Sequence, residues 1–166
     1  VLAGAGGLRL LKQETPEKFS DVTPETKLAP DVINASYTGV WPADIDADGD
    51  LDIVLGTNER RPEVLRNNGD GSFSETQLFS SISGLRDFVW ADIDGDGDPD
   101  AALIDDKGKL HVFTNERSGQ FNERSTPAAL APLKALTVAD LNQDGVLDLI
   151  VAVSYTHLTL PTTSRV

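Results

Sequence analysis

Short apolar runs alternate with polar, glycine-containing turns along most of this 166-residue chain. Such runs, bounded by turn residues, are typical of β-strands and are too short for amphipathic helices. The clearest runs come in pairs, and each pair flanks one acidic loop. The pairs are Gly39–Ala43 with Asp52–Leu55, Phe88–Ala91 with Asp100–Ile104, and Ala135–Ala139 with Asp148–Val153. The pattern therefore predicts three strand pairs, each joined by an acidic loop.

Two further strands are expected after each of the first two pairs. Val64–Asn67 and Leu110–Asn115 supply the third strand, and a glycine-containing turn then leads to Phe73 or Phe121. The acidic loops recur every 48 residues. Four strands in a repeat of this length are typical of a β-propeller blade. We therefore expect an all-β fold, namely a partial β-propeller of four-stranded antiparallel blades.

The acidic loop is nine residues long and occurs three times, as Asp44–Asp52 (loop 1), Asp92–Asp100 (loop 2) and Asp140–Asp148 (loop 3). Positions 1, 3 and 5 of each loop carry Asp or Asn, position 6 is always Gly, and position 9 is always Asp. Ca²⁺ takes about six to eight oxygen ligands in flexible geometry. A tight turn can direct alternate side chains toward one ion, and glycine permits the sharp reversal. The sequence predicts a Ca²⁺ site in each loop.

Position 7 varies in chemical type, so we expect it to offer its backbone carbonyl, whereas the Asp at position 9 is expected to close the site. The predicted metal ligands are Asp44, Asp46, Asp48, Asp50 and Asp52 in loop 1, Asp92, Asp94, Asp96, Asp98 and Asp100 in loop 2, and Asp140, Asn142, Asp144, Val146 and Asp148 in loop 3.

Two other kinds of acidic loop share part of this pattern. An EF-hand begins in the same way, but it needs a Glu at position 12 and flanking helices. Position 12 is Leu55, Leu103 or Val151, and the flanks are strand-like. A solvated acidic turn is the simpler alternative, although its recurrence with the same Gly and the same closing Asp argues against it.

The net charge of −13 is concentrated in these loops. They contain 13 of the 27 acidic residues and no Lys or Arg, and the remaining 14 acidic residues balance the 14 basic ones. The acidity is thus explained by metal ligands and requires no basic partner. A nucleic-acid partner is not expected, since phosphates would be repelled. The absence of Cys excludes disulfides and thiol chemistry, and no apolar stretch is long enough for a membrane span.

These residues resemble a known family. The segments "VLRNNGDGSF", "ADIDGDGDPD" and "ADLNQDGVLDLIVAV" are similar to the FG-GAP/VCBS repeats, which are integrin-α-like propeller blades. The resemblance covers about residues 1–153. It implies calcium-stabilised blades that mostly serve adhesion, ligand binding or scaffolding.

The repeat also suggests how the chain is divided. We expect a partial blade over residues 1–31, blades over about 32–80 and 81–127, and a partial blade over 128–153. Within the first, Val1–Gly4 resembles Ile53–Gly56, and Leu8–Leu11 resembles Val64–Asn67. A propeller closes with about four to eight blades, so we expect a fragment whose partners include the remaining blades. Residues 154–166 match no repeat, resemble a translated sequencing adapter, and are predicted to be non-native.

The expected function is that of a non-enzymatic module with structural Ca²⁺. Its partner would be an unidentified protein or carbohydrate ligand. Extracellular modules bind Ca²⁺ with a Kd of about 10⁻⁴–10⁻³ M, so an extracellular, cell-surface or periplasmic location is expected. His111 has no neighbouring Ser or Cys to activate and is expected to be a half-exposed strand residue. Trp41 and Trp90 are expected in blade packing, not sugar stacking. The alternatives are a non-catalytic propeller attached to a secreted enzyme, such as a polysaccharide-degrading one, or part of a catalytic propeller.

Overall fold

The computed structural model describes residues 1–117, 119–126 and 132–154, and over these the fold is all-β. A four-residue α-helix, α1 (Pro30–Ile33), and a 3₁₀ helix at Thr23–Thr26 lie between the fourth and fifth strands. The strands are β1 (Leu2–Gly4), β2 (Gly7–Arg9), β3 (Leu11–Thr15), β4 (Lys18–Asp21), β5 (Gly39–Ala43), β6 (Asp52–Gly56), β7 (Glu63–Asn67), β8 (Phe73–Thr76), β9 (Asp87–Ala91), β10 (Asp100–Ile104), β11 (Leu110–Asn115), β12 (Phe121–Arg124), β13 (Leu133–Ala139) and β14 (Asp148–Val153).

Two antiparallel sheets of four strands form the centre of the chain. In each, the strands are neighbours in sequence order, β5-β6-β7-β8 and β9-β10-β11-β12. The predicted unit of four antiparallel strands is therefore confirmed. β13 pairs with β14 as the first half of a third unit, and β1-β2 and β3-β4 pair near the N-terminus.

The three acidic loops start and end at the same place in the strand register. Ala43 pairs with Asp52, Ala91 with Asp100, and Ala139 with Asp148. The small alanine side chain before each loop and the Asp after it thus form the last strand pair. Strands flank every loop, so the exclusion of an EF-hand is confirmed.

The second strand of each complete sheet is buried on both faces. All five residues of β6 and all five of β10 are buried. Val54 faces one neighbouring sheet, while Ile53 and Leu55 face the other. Because alternate side chains of a strand point to opposite faces, a strand buried on both sides needs a continuous apolar run. This explains why these strands show no polar alternation.

Three apolar cores hold the sheets face to face. The first lies between the two complete sheets and includes Val54, Val64, Leu103 and Phe113. The second joins the N-terminal strands to β5–β8 through Leu8, Leu55 and other residues. The third joins β9–β12 to β13–β14, with Ala102 and Leu133 among its members. Each sheet therefore packs against the unit before it or after it in the chain.

The N-terminal strands β1 and β2 pair and pack in the same way as β6 and β7, but one residue out of the register that the sequence alignment predicts. Ala3 pairs with Leu8 and both face β5–β8, as Val54 and Val64 face β9–β12. Ala3 is thus the equivalent of Val54. The sequence alignment of Val1–Gly4 with Ile53–Gly56 instead matches Leu2 with Val54, so that alignment is wrong by one residue. In this N-terminal unit, the strand equivalent to β7 is divided into β2 and β3 at Leu10. The Leu10 N–H donates to Thr23 Oγ1 at 2.9 Å.

The proposed boundaries at residues 31, 80 and 127 remain predictions, and α1 lies across the first of them. Apart from Ser154, the tail that we predict to be non-native lies outside the described residues. Within the described part of the chain, no helix is long and apolar enough to cross a membrane.

Candidate metal-binding loops

Each acidic loop is held by hydrogen bonds from its own backbone to its first carboxylate. In loop 1 the N–H groups of Asp48 and Gly49 donate to the two oxygens of Asp44, both at 3.1 Å. Asp92 accepts from Gly95 and Gly97 in loop 2, at 2.8 and 3.1 Å. Asp140 accepts from Asp144 and Gly145 in loop 3. The position 1 side chain therefore closes the turn in all three loops.

The backbone reverses at two positions of each loop. Position 6 has a positive φ at Gly49, Gly97 and Gly145, as the sequence predicts. Position 4 has one too, with φ of 58° at Ala47, 77° at Gly95 and 63° at Gln143. The second reversal was missed by sequence reasoning. The only signal for it was the glycine at position 4 of loop 2.

The Asp at position 9 is a buried bridge between backbone segments. Asp52 is 1% exposed. Its Oδ2 accepts from the N–H of Ile45 and its Oδ1 from that of Asn67, both at 2.8 Å. Burial raises the pKa of Asp52, the two amide hydrogen bonds oppose this, and the nearby carboxylates of Asp46 and Asp48 add to it. The residue predicted to close the metal site thus also ties loop 1 to β7.

Loop 2 repeats this bridge and loop 3 shows half of it. Asp100 accepts from the N–H groups of Ile93 and Asn115, both at 2.9 Å. Asp148 accepts from the N–H of Leu141 at 3.1 Å. The third strand of that unit would follow β14, where the described residues end.

Three carboxylates converge in loop 1. One oxygen from each of Asp44, Asp46 and Asp48 lies within 4.8 Å of the other two. Among the described residues, Asp46 Oδ1 is buried and has no hydrogen-bond partner. The N–H of Asp50 donates to Asp48 Oδ1 at 3.0 Å, and this bond is the main reason that the pKa of Asp48 is lowered. Loop 1 therefore brings positions 1, 3 and 5 together, as the sequence predicts.

Loop 2 assembles a different set of three. Here Asp92, Asp94 and Asp100 bring one oxygen each within 4.8 Å of one another. Desolvation raises the pKa of Asp94, and the neighbouring charges of Asp100 and Asp96 raise it further. Asp96 is exposed and lies outside this set, with Oδ1 accepting from the N–H of Asp98 at 2.9 Å. Position 9 replaces position 5 in the convergent group.

Loop 3 has fewer carboxylates to offer. Asn142 stands at position 3, and its Nδ2 donates to Asp144 Oδ2 at 2.9 Å. Asp144 Oδ1 accepts from the N–H of Val146 at 2.8 Å. The Val146 side chain is 56% exposed and has no ligand atom. A ligand from position 7 of this loop would have to be the backbone carbonyl.

Three arginines contact the loops and were not noticed in the sequence. Arg66 of β7 contacts Asp46 through Nε and Asp48 Oδ2 through Nη2, the latter at 3.3 Å. Arg117 Nε lies 2.5 Å from Asp98 Oδ2, and Arg124 Nη1 lies 3.8 Å from Asp94. Hydrogen bonds to these carboxylates raise the pKa of Arg66 and of Arg117. Both arginines lie beside the end of a third strand, which the sequence alone does not place next to a loop.

The other candidate residues of the sequence lie in the packing of the sheets. His111 lies on β11 as expected, but it is 5% exposed and not half-exposed. Its ring is held between two carboxylates, with Nδ1 at 2.7 Å from Glu123 and Nε2 at 3.3 Å from Asp105. Trp41 and Trp90 pack against the first core, where each ring lies 6.2 to 6.3 Å from Phe88. The expected packing role of the two tryptophans is confirmed.

Comparison with known proteins identifies the repeat. The FG-GAP-like repeat family matches residues 44–103 and 92–151. Both matches begin at the first Asp of a loop and end in the second strand of the next unit, and together they cover more than half of the chain. A search of curated proteins found no match. From the family match, this chain belongs to the FG-GAP-like repeat family.

Proposed function

We propose that this chain is part of a calcium-stabilised β-propeller, a binding module that serves adhesion, ligand recognition or scaffolding. The observation that carries the proposal is the convergence of three carboxylates in loop 1 and of three in loop 2. In loop 1, Asp46 Oδ1 is buried and has no hydrogen-bond partner among the described residues. A buried carboxylate oxygen with no donor is costly. A bound cation would satisfy it.

The chemistry of the donors favours Ca²⁺. All side-chain donors are carboxylate or amide oxygens within nine-residue loops, and hard cations with flexible coordination prefer such ligands. The residues that would hold the ion are those at positions 1, 3, 5 and 9, together with the carbonyl at position 7. The ion would supply positive charge at the point where the carboxylates repel one another. It would thereby lock the connection between the first two strands, and its binding energy would add to the stability of the fold.

Sheet packing supports the propeller. The sheets stack face to face in chain order, and the first strands of successive units, β5 and β9, lie near each other. The two outer faces of the stack still expose apolar residues. Leu2 and Ile150 are 59% and 36% exposed, whereas Ile53 and Ala102, at equivalent positions inside the stack, are 5% and 0% exposed. Further sheets of the same kind would cover these faces.

The ligand of the module is proposed to be a protein or a carbohydrate, bound outside the cytoplasm at the cell surface, in the periplasm or in the extracellular space. No observation on the described residues favours a catalytic site: His111 is held between carboxylates and the tryptophans are used in packing. Attachment to a secreted enzyme, or membership of a catalytic propeller, remains the alternative function of the longer protein.

Calcium binding tests the proposal directly. Isothermal titration of the chelator-treated protein should show Ca²⁺ uptake, and the melting temperature should rise with Ca²⁺ and fall again with EDTA. Mg²⁺ serves as the control, because it demands stricter octahedral geometry and retains water. If Ca²⁺ neither binds nor shifts the melting temperature, the metal proposal is wrong.

A further inference from the structure

Arg66 contacts two of the three convergent carboxylates of loop 1. Its Nε contacts Asp46 Oδ2, and its Nη2 lies 3.3 Å from Asp48 Oδ2. The position of the arginine is fixed by its neighbour, since the N–H of Asn67 donates to Asp52 at 2.8 Å. The end of β7 is therefore held beside loop 1.

The remaining carboxylate oxygens of loop 1 are mostly engaged by backbone amides. Both oxygens of Asp44 accept from loop N–H groups, and Asp48 Oδ1 accepts from Asp50. Of the oxygens in this group, Asp46 Oδ1 is the buried one for which the described residues provide no partner. Arg66 thus neutralises part of the negative charge that an incoming cation would otherwise neutralise.

Loop 2 differs at the equivalent position. The residue 48 places after Arg66 is Thr114, whose hydroxyl oxygen lies 3.3 Å from Glu116 Oε1 and 3.4 Å from the Asn122 carbonyl, and both acceptors lie outside the loop. The arginine nearest to the convergent group of loop 2 is Arg124, at 3.8 Å from Asp94. Loop 2 has a closely bound arginine as well, since Arg117 Nε lies 2.5 Å from Asp98 Oδ2, but Asp98 lies outside the convergent group. The two loops therefore have nearly the same acidic residues, and they differ in that an arginine is closely bound to the convergent carboxylates of loop 1.

We propose that Arg66 is a built-in counter-cation of loop 1, which stabilises the loop without calcium and makes it a weaker calcium site than loop 2. This inference rests on the proposed calcium-binding function. Its physical basis is that a fixed positive charge relieves carboxylate repulsion in the empty loop and opposes a second cation in the filled one. The protein would then fill its loops in sequence as calcium rises, with loop 2 before loop 1.

If Arg66 instead served to orient the metal ligands, its loss would change the calcium affinity of loop 1 in the opposite direction. A residue that only orients metal ligands raises metal affinity, and its loss lowers that affinity. A counter-cation lowers metal affinity, and its loss raises it. The sign of the change in calcium affinity therefore separates the two roles.

Arg66→Thr, which installs the residue found in the next repeat, is the test. The amide signals of Gly49 and Gly97 in ¹H–¹⁵N spectra report separately on loops 1 and 2 during a calcium titration. We expect the loop 1 midpoint to move to lower calcium by about fivefold, the upper range for a partly exposed ion pair. The loop 2 midpoint should stay unchanged, and the melting temperature in EDTA should fall. Arg61→Thr is the matched control, since Arg61 bonds to Gln77 at the other end of the sheet.

Each result has one meaning. A loop 1 midpoint that is unchanged, or that moves to higher calcium, overturns the counter-cation while leaving calcium binding intact. An Arg61→Thr variant that shifts loop 1 equally would show a general charge effect and would also overturn it. If neither glycine responds to calcium in the wild-type protein, the proposed function fails and the inference fails with it.

Discussion

Asp52 accepts a hydrogen bond from the backbone N–H of Asn67 at 2.8 Å, and this contact links an acidic loop to the third strand of its sheet. The equivalent bond, from Asn115 to Asp100, is 2.9 Å long. Both carboxylates are 1% exposed. The last residue of the loop therefore has a structural role that does not depend on a metal.

Asp100→Asn should destabilise the protein even in EDTA. The amide retains one acceptor oxygen, but its NH₂ group would face a backbone N–H, so one buried donor would lose its partner. A loss of about 1–3 kcal/mol of unfolding free energy is expected, measured by urea denaturation in EDTA. Asp96→Asn removes the same charge from an exposed position and should cost much less. Equal losses in the two variants would refute the bridging role.

Ala47→Gly should stabilise the protein. Ala47 has a φ of 58°, a conformation that costs an L-residue about 1–2 kcal/mol, and glycine relieves this strain at some cost in chain entropy. We expect a net gain of up to about 1 kcal/mol from chemical denaturation.

Gly95→Ala is the reciprocal variant, at the same position of loop 2. Gly95 has a φ of 77°, and a Cβ there would meet no described atom within 4 Å, so backbone strain is the only expected effect. It should cost about 1 kcal/mol. Stabilisation by Gly95→Ala would contradict the assigned backbone conformation.

Acid should weaken the contact between Glu123 and His111. The hydrogen bond from His111 is the main cause that lowers the pKa of Glu123, and burial opposes it. A carboxylate with a lowered folded pKa adds stability above its unfolded pKa, about 4.3, and this stability is lost as the pH falls through the folded value. As the pH falls below the pKa of an unfolded Glu, the wild-type protein should therefore lose stability faster than the Glu123→Gln variant.

The matched control for this pH effect is Glu75→Gln. Glu75 on β8 is the equivalent of Glu123, 48 residues earlier in the chain. The equivalent of His111 in that sheet is Glu63, so Glu75 has no histidine partner there. Denaturation curves in EDTA over a pH series should show no corresponding change in acid sensitivity for this variant. If the Glu123→Gln and wild-type curves run parallel, His111 does not stabilise the charged form of Glu123.

Asp94→Asn should weaken calcium binding in loop 2 and leave the other loops nearly unchanged. Asp94 belongs to the convergent group of loop 2 alone, and each loop is closed by its own hydrogen bonds. Calcium titrations followed at the amides of Gly49, Gly97 and Gly145 should show a change at Gly97 only. Loss of the response at all three would mean that the loops do not act as separate sites.

The sequence predicted the strands of the two complete units well. β5 and β11 have the predicted bounds, and the predicted strands Phe88–Ala91 and Val64–Asn67 each lengthen by one residue, to Asp87–Ala91 and Glu63–Asn67. Apolar runs, turn glycines and the repeat period are local properties of a chain, so they can be identified without a structure. The alignment of Val1–Gly4 was off by one residue, whereas the match of Leu8 with Val64 was correct. Short strands contain too few residues to determine their register.

The residues of the candidate site were only partly predictable. The acidic residues at positions 1, 3, 5 and 9 were identified from their spacing, yet the spacing did not show that position 5 converges in loop 1 and position 9 in loop 2. Nor did it indicate the reversal at Ala47. Alanine gives no local sign of a positive φ, and the direction of a carboxylate depends on the groups around it.

The sequence by itself determined the repeat, its strand content and the identity of the oxygen donors, since each depends on residue type and spacing within one segment. Only the tertiary structure decided which oxygens remain available. It placed Arg66 against Asp46 and Asn67 against Asp52, partners 15 to 20 residues apart in the chain. Strand pairing brings such residues together, and the free energy of burying the sheets on both faces fixes the register in which they meet.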